Sequence, residues 1–195
     1  MDSTLVLPPA TRIFVTTQPF SPSKDFFPNN LIASRLMAAR NIPLHRVDFS
    51  NEHPSAEFDE SRLRQAVERV LADAGIPAAT ISVAIVDDPT IHDINRRFLE
   101  HDEPTDVISF VLEQTERHLE GEIVASYDTA ATVAKRLGWS TADELLLYIV
   151  HGALHLVGYD DLDPDSKREM RRREREVLTT LGVEARYDEE EGERG

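Results

Sequence analysis

Between Leu145 and Val157 every residue is apolar or glycine except Tyr148, His151 and His155, so a fold must bury this segment and satisfy two imidazoles inside it. Four residues apart on a helix, the two rings lie one turn above the other on a single face. That spacing lets both reach one metal ion. Gly158 stops the helix, because glycine takes the left-handed C′ conformation without steric cost. The chain can then fold back and bring Asp160 or Asp161 towards the rings. A third ligand ten residues after the first, beyond a glycine turn, is a known zinc-site layout. Two core histidines would explain the pair, but not the glycine stop and acidic pair at ligand spacing. In zinc peptidases the residue after the first histidine is a glutamate base. Here it is Gly152, so the pattern keeps a metal site and lacks the peptidase base.

Composition narrows the donors. The 195 residues include no cysteine, which excludes disulfides and thiolate ligands and leaves nitrogen and oxygen. No run of 18 or more apolar residues exists to cross a membrane, and the N-terminus lacks a signal-peptide pattern. The simplest compartment is the cytoplasm. A net charge of −15 counts against indiscriminate binding to nucleic acid. Charge is unevenly spread, however: Lys167 to Arg175 is basic and directly follows the histidine motif. That segment either meets phosphates locally or forms a salt-bridged, solvated helix face.

Residues 1–43 hold six of the eleven prolines and no sustained period, which predicts an irregular, Pro-rich extension. Met37 is a candidate translation start, because the organised part begins just after it. From Leu44 to Phe49 an alternating pattern predicts an edge strand. Asp59 caps a helix running through Leu63, Ala66, Val67, Val70 and Leu71, ended by Gly75 and Pro77. Thr80 to Val86 is a β-branched strand. Asp88-Pro89 starts a helix with Ile91, Ile94, Phe98 and Leu99 as its buried stripe. Further strands are expected at Val107–Leu112, with Val107, Ser109 and Val111 on one face, and at Glu122–Ser126. A helix spans about Asp128 to Leu137. Thr141 and Glu144 form a capping box for the histidine helix. The last helix opens at Asp163-Pro164 and closes at Gly182, and an acidic tail fills 183–195. The order predicts an α+β domain over 44–182, with a small mixed sheet and helices packed on it.

Three blocks now carry a family resemblance. Ile94-Asn95-Arg96-Arg97-Phe98-Leu99 through Asp102-Glu103-Pro104-Thr105-Asp106-Val107-Ile108-Ser109-Phe110 resembles the YbeY signature L-N-x-x-Y-R-x-x-D-x-P-T-D-V-L-S-F. Gly121 to Ser126 is similar to its G-D-I-V-I-S, and His151 to Asp161 to its H-G-x-L-H-L-x-G-Y-D-H. YbeY proteins are metal-dependent endoribonucleases that mature ribosomal RNA. The resemblance implies a zincin-like fold, one zinc ion and the set His151, His155 and Asp161, with Asp161 where the family has a third histidine. Carboxylate is an acceptable zinc ligand, and it lowers the charge of the site by one. At Leu99 the family often carries an arginine suited to a scissile phosphate; Arg96 and Arg97 are its nearest substitutes.

The implied activity is single-strand-specific cleavage of precursor ribosomal RNA, with that RNA and the small ribosomal subunit as partners. Asn95, Asp106 and Ser109 are candidates for lining the cleft. Asp106 reads equally as a loop cap, and Ser109 as a solvent-facing residue. Two rival readings remain: a non-catalytic assembly protein with a structural metal, favoured by Leu99, and a metallopeptidase, opposed by Gly152.

Overall fold

The helices begin where the sequence supplies acceptors for amides that the first turn leaves unbonded. Asp59 accepts from the amides of Ser61 and Arg62 at 2.9 and 3.2 Å and opens helix α1, Glu60–Asp73. Asp87 accepts from the Thr90 amide at 2.9 Å and opens α2, Asp88–Leu99. The Thr90 hydroxyl and amide hold the Asp87 carboxyl below its usual range. Ser126 caps α3, Tyr127–Leu137, by accepting from the Thr129 amide at 3.1 Å. Helix α4, Thr141–Leu156, is capped by Ser140, one residue earlier than the expected Thr141. The reason is Glu144, which turns inward to accept from Trp139 Nε1 at 2.7 Å and leaves Asp143 to face Ser140. Asp163 accepts from Asp165 and Ser166 amides and, with Pro164 in the first turn, opens α5, Pro164–Thr180.

This computed structural model describes residues 13–16, 44–99 and 105–187. Within them, strands β1 (Ile13–Thr16), β2 (Leu44–Asn51), β3 (Ala78–Val86), β4 (Val107–Gln114) and β5 (Leu119–Ser126) form one sheet. Its order is β1-β4-β5-β3-β2. The β4–β5 hairpin is antiparallel and the other neighbours are parallel, so the α+β class with a mixed sheet holds.

Two boundaries differ from expectation. Ile13–Thr16 pair with Ile108–Val111, so the stretch expected to be irregular supplies an edge strand. The rest of 1–43, Met37 included, lies outside the described residues. At the other end, 183–187 pack back on the domain instead of opening a tail: Val183 is buried, and the Arg186 guanidinium donates to the carbonyls of Leu137 and Gly138 at 2.9 and 2.7 Å. Those carbonyls close α3, where a helix leaves acceptors unfilled.

One sheet face carries Val47, Ile81, Val83, Ile85, Val107, Val111 and Ile123 in the main core with α1, α4 and α5. Helix α4 lies on the β4–β5 hairpin, with α1, α3 and α5 packed around it. That surround explains its apolar circumference. Fully buried Leu145, Leu146, Ile149, Val150 and Leu154 each contribute roughly 1.5–3 kcal/mol on burial. The close approach needs Gly152: a Cβ there would stand 2.8 Å from Ser109 Oγ and 2.9 Å from Ile123 Cγ2. The opposite sheet face holds a smaller cluster, in which Ile91 of α2 meets Val86, Ile108 and Val124.

Candidate metal centre

The surround of α4 leaves its two imidazoles to be satisfied from within the protein. The rings lie 4.5 Å apart between centroids, tilted at 83°, with their Nε2 atoms 2.9 Å apart. Nδ1 of His155 sits 2.9 Å from the Tyr159 carbonyl oxygen. A carbonyl only accepts, so the hydrogen is on Nδ1 of His155 and its Nε2 offers a lone pair. Nδ1 of His151 faces Glu174 Oε1 at 2.6 Å, and donation to this carboxylate leaves its Nε2 a lone pair also.

The turn that completes the group depends on Gly158, whose φ is +94°. Tyr159 N then donates back to the Leu154 carbonyl at 3.0 Å, and the following residues return over the histidines. Asp161 Oδ1 comes to 3.7 Å from His155 Nε2, and Oδ2 to 3.8 Å from His151 Nε2. The adjacent Asp160 accepts from the Leu162 amide at 2.6 Å and so serves its own loop. One ligand atom from each of His151, His155 and Asp161 lies within 4.8 Å of the others. His151 and His155 are buried, and Asp161 retains 15% side-chain exposure.

With both rings neutral, two lone pairs and a carboxylate converge on one point, where a metal cation or a shared proton relieves their repulsion. Tetrahedral zinc with bonds of about 2.0–2.2 Å sets its ligand atoms about 3.3–3.6 Å apart. The two Nε2 atoms lie 2.9 Å apart and each Asp161 oxygen stands 3.7 or 3.8 Å from one ring, close to that spacing, so the group could hold one small divalent ion.

The remaining candidates sit elsewhere in the fold. Ser109 does not face solvent: it is buried between β4 and α4 and donates to the Gly152 carbonyl at 3.1 Å. Asp106 is buried and accepts from the Val107 amide at 3.0 Å, the loop-cap alternative. Asn95 is buried on α2, the helix that packs on the sheet face opposite α4. Leu99 ends α2, and its side chain lies outside the described residues, as do Glu100–Pro104. Arg96 and Arg97, the expected substitutes, are exposed and both bind Asp93, at 2.9 and 2.8 Å.

The basic stretch takes the salt-bridged form. Arg168 pairs with Asp165, and Arg172 with Glu169 and Glu176. Arg173 reaches Glu176 and, at 3.4 Å, Asp73, while Arg171 and Arg175 lie over the Tyr187 ring at 4.8 and 5.0 Å. Sequence reasoning missed Glu174. Its signal was position: with Met170, Val177 and Leu178 it falls on the inward stripe of α5, where a carboxylate is out of place.

Comparison with known proteins adds a family. The family model described as Endoribonuclease YbeY matches residues 48–182. An endoribonuclease YbeY of Rhodopirellula baltica is 45% identical over 130 residues, 66% of this chain and 67% of that protein. Those of Salinibacter ruber and Carboxydothermus hydrogenoformans are 34% and 36% identical, covering 69% and 70% of this chain and 91% and 98% of their own.

Proposed function

The chain belongs to the YbeY endoribonuclease family, and from that membership we propose that it is a single-strand-specific, zinc-dependent endoribonuclease of ribosomal RNA maturation. His151, His155 and Asp161 hold the ion, with precursor ribosomal RNA and the small ribosomal subunit as partners in the cytoplasm. No helix among the described residues is long and apolar enough to cross a membrane.

The single observation that carries the metal reading is the pair of Nε2 atoms facing each other 2.9 Å apart beside a carboxylate. When bound, zinc polarises a phosphoryl oxygen and acidifies a coordinated water towards neutral pH. The protein's own residues do the rest. The Tyr159 carbonyl and Glu174 hold the two hydrogens on the Nδ1 atoms, so both lone pairs point into the site. Asp161 offers its anionic oxygens from the partly exposed side, where an RNA phosphate can approach. Gly152 supplies no general base and has no room for one, since even a Cβ would meet Ser109 and Ile123. The base therefore comes from another residue or is the zinc-acidified water itself, which sets the site apart from peptidases.

The test joins metal content to activity. Chelator-stripped protein is expected to lose cleavage of single-stranded RNA and regain it on addition of one equivalent of zinc, while denatured casein stays intact. Full metal content without RNA cleavage would instead support the non-catalytic assembly protein.

A further inference from the structure

Glu174 and His151 both have 0% side-chain exposure, and their Nδ1–Oε1 contact is 2.6 Å. A carboxylate loses its hydration at such a place, and the loss is tolerable only where charge and hydrogen bonds compensate it. The compensation lies on one line. The carboxylate meets Nδ1 of the ring, and the ring's other nitrogen meets His155 and Asp161. Counted with Asp161, Glu174 brings the negative charge to two, which balances one divalent ion.

The two histidines are thus held differently. His155 is fixed by a neutral carbonyl from its own turn, whereas His151 is fixed by an anion from the next helix. A carboxylate behind a metal-binding imidazole fixes its tautomer and orientation and makes its far nitrogen more basic. We propose that Glu174 is the positioning residue of the metal centre, acting through His151 and fastening α5 to α4 at that point. This inference rests on the reading of His151 as a ligand.

The test uses full-length Glu174→Leu, which keeps the buried volume, and Glu174→Gln, which keeps an acceptor without charge. Zinc affinity is measured by chelator competition, and the His151 ring by nitrogen-15 NMR of metal-free protein. Expected are an affinity loss of about 10–100-fold in both variants, and loss of the slowly exchanging Nδ1–H signal of His151 in Glu174→Leu, with that of His155 retained. If Glu174→Leu does not fold, Glu174→Gln carries the affinity test alone. Parental zinc affinity in the folded variants, or weakened affinity with the His151 signal unchanged in Glu174→Leu, overturns the proposal. A parent that binds no zinc defeats the metal reading instead, and the NMR comparison still decides whether Glu174 holds the ring.

Discussion

The end of α4 and the outer face of α5 are neighbours in sequence, and both display rows of residues that suggest function. The protein treats them in opposite ways. Around α4, polar atoms from three places in the chain turn inward and converge: His151 and His155, Asp161 beyond the Gly158 turn, and Glu174 from α5. On the outer face of α5, Arg168 and Arg172 each find a carboxylate three or four residues away on the same helix. Exposed pairs of that kind are formed at little energetic consequence and are screened by salt. Buried polar groups are costly, so their convergence needs a reason. Convergence under burial is the better guide to a site than density of charge.

The comparison can be broken most sharply from the α4 side. His155→Ala should remove metal and RNA cleavage together. One of three ligands' share of a zinc site worth about 10–16 kcal/mol is about 3–5 kcal/mol, more than 100-fold in affinity; chelator competition reads it directly. Next in size is Gly152→Ala, which forces a methyl group against Ser109 and Ile123. Overpacking should cost about 1–3 kcal/mol, visible as a lower denaturation midpoint. A midpoint equal to the parent's would mean that α4 does not press on the hairpin as described.

Asp160→Asn sharpens the contrast within the acidic pair. It should leave zinc affinity at the parental value, since Asp160 accepts from the Leu162 amide in its own loop. The smallest effect is expected on α5. Changing Arg171, Arg172 and Arg175 to Gln should leave the salt dependence of RNA binding unaltered, because each is held by Tyr187, Glu169 or Glu176. Each true phosphate contact removed would flatten the slope by about 0.7–0.9.

Much of this was legible before the structure, where local chemistry decides the outcome. Asp59 and Asp163-Pro164 announce helix starts because an acceptor side chain must meet free amides. Val107, Ser109 and Val111 share the core-facing side of β4 because strand side chains alternate. The grouping of His151, His155 and Asp161 was legible because i and i+4 stack two imidazoles and glycine allows the turn. What failed depended on particular contacts that no local pattern encodes. Either Ser140 or Thr141 satisfies a capping pattern, and only the Trp139–Glu144 contact selects Ser140. Strand β1 is recognisable through its pairing with β4, more than ninety residues on. Ser109 has a small polar side chain that suits a cleft, yet it serves the contact with Gly152. Glu174 was hidden among exposed charges, and α4 alone explains its inward placement.

The most direct test of the central claim is the zinc affinity of Asp161→Asn and Asp161→His beside the parent, with RNA cleavage followed on the same samples. Asp161→Asn keeps the shape but removes the anionic donor, and should lose both zinc and cleavage. Asp161→His restores the family's three-histidine pattern and should retain the metal, because imidazole suits zinc. Parental zinc affinity in Asp161→Asn would contradict the account and remove Asp161 from the site.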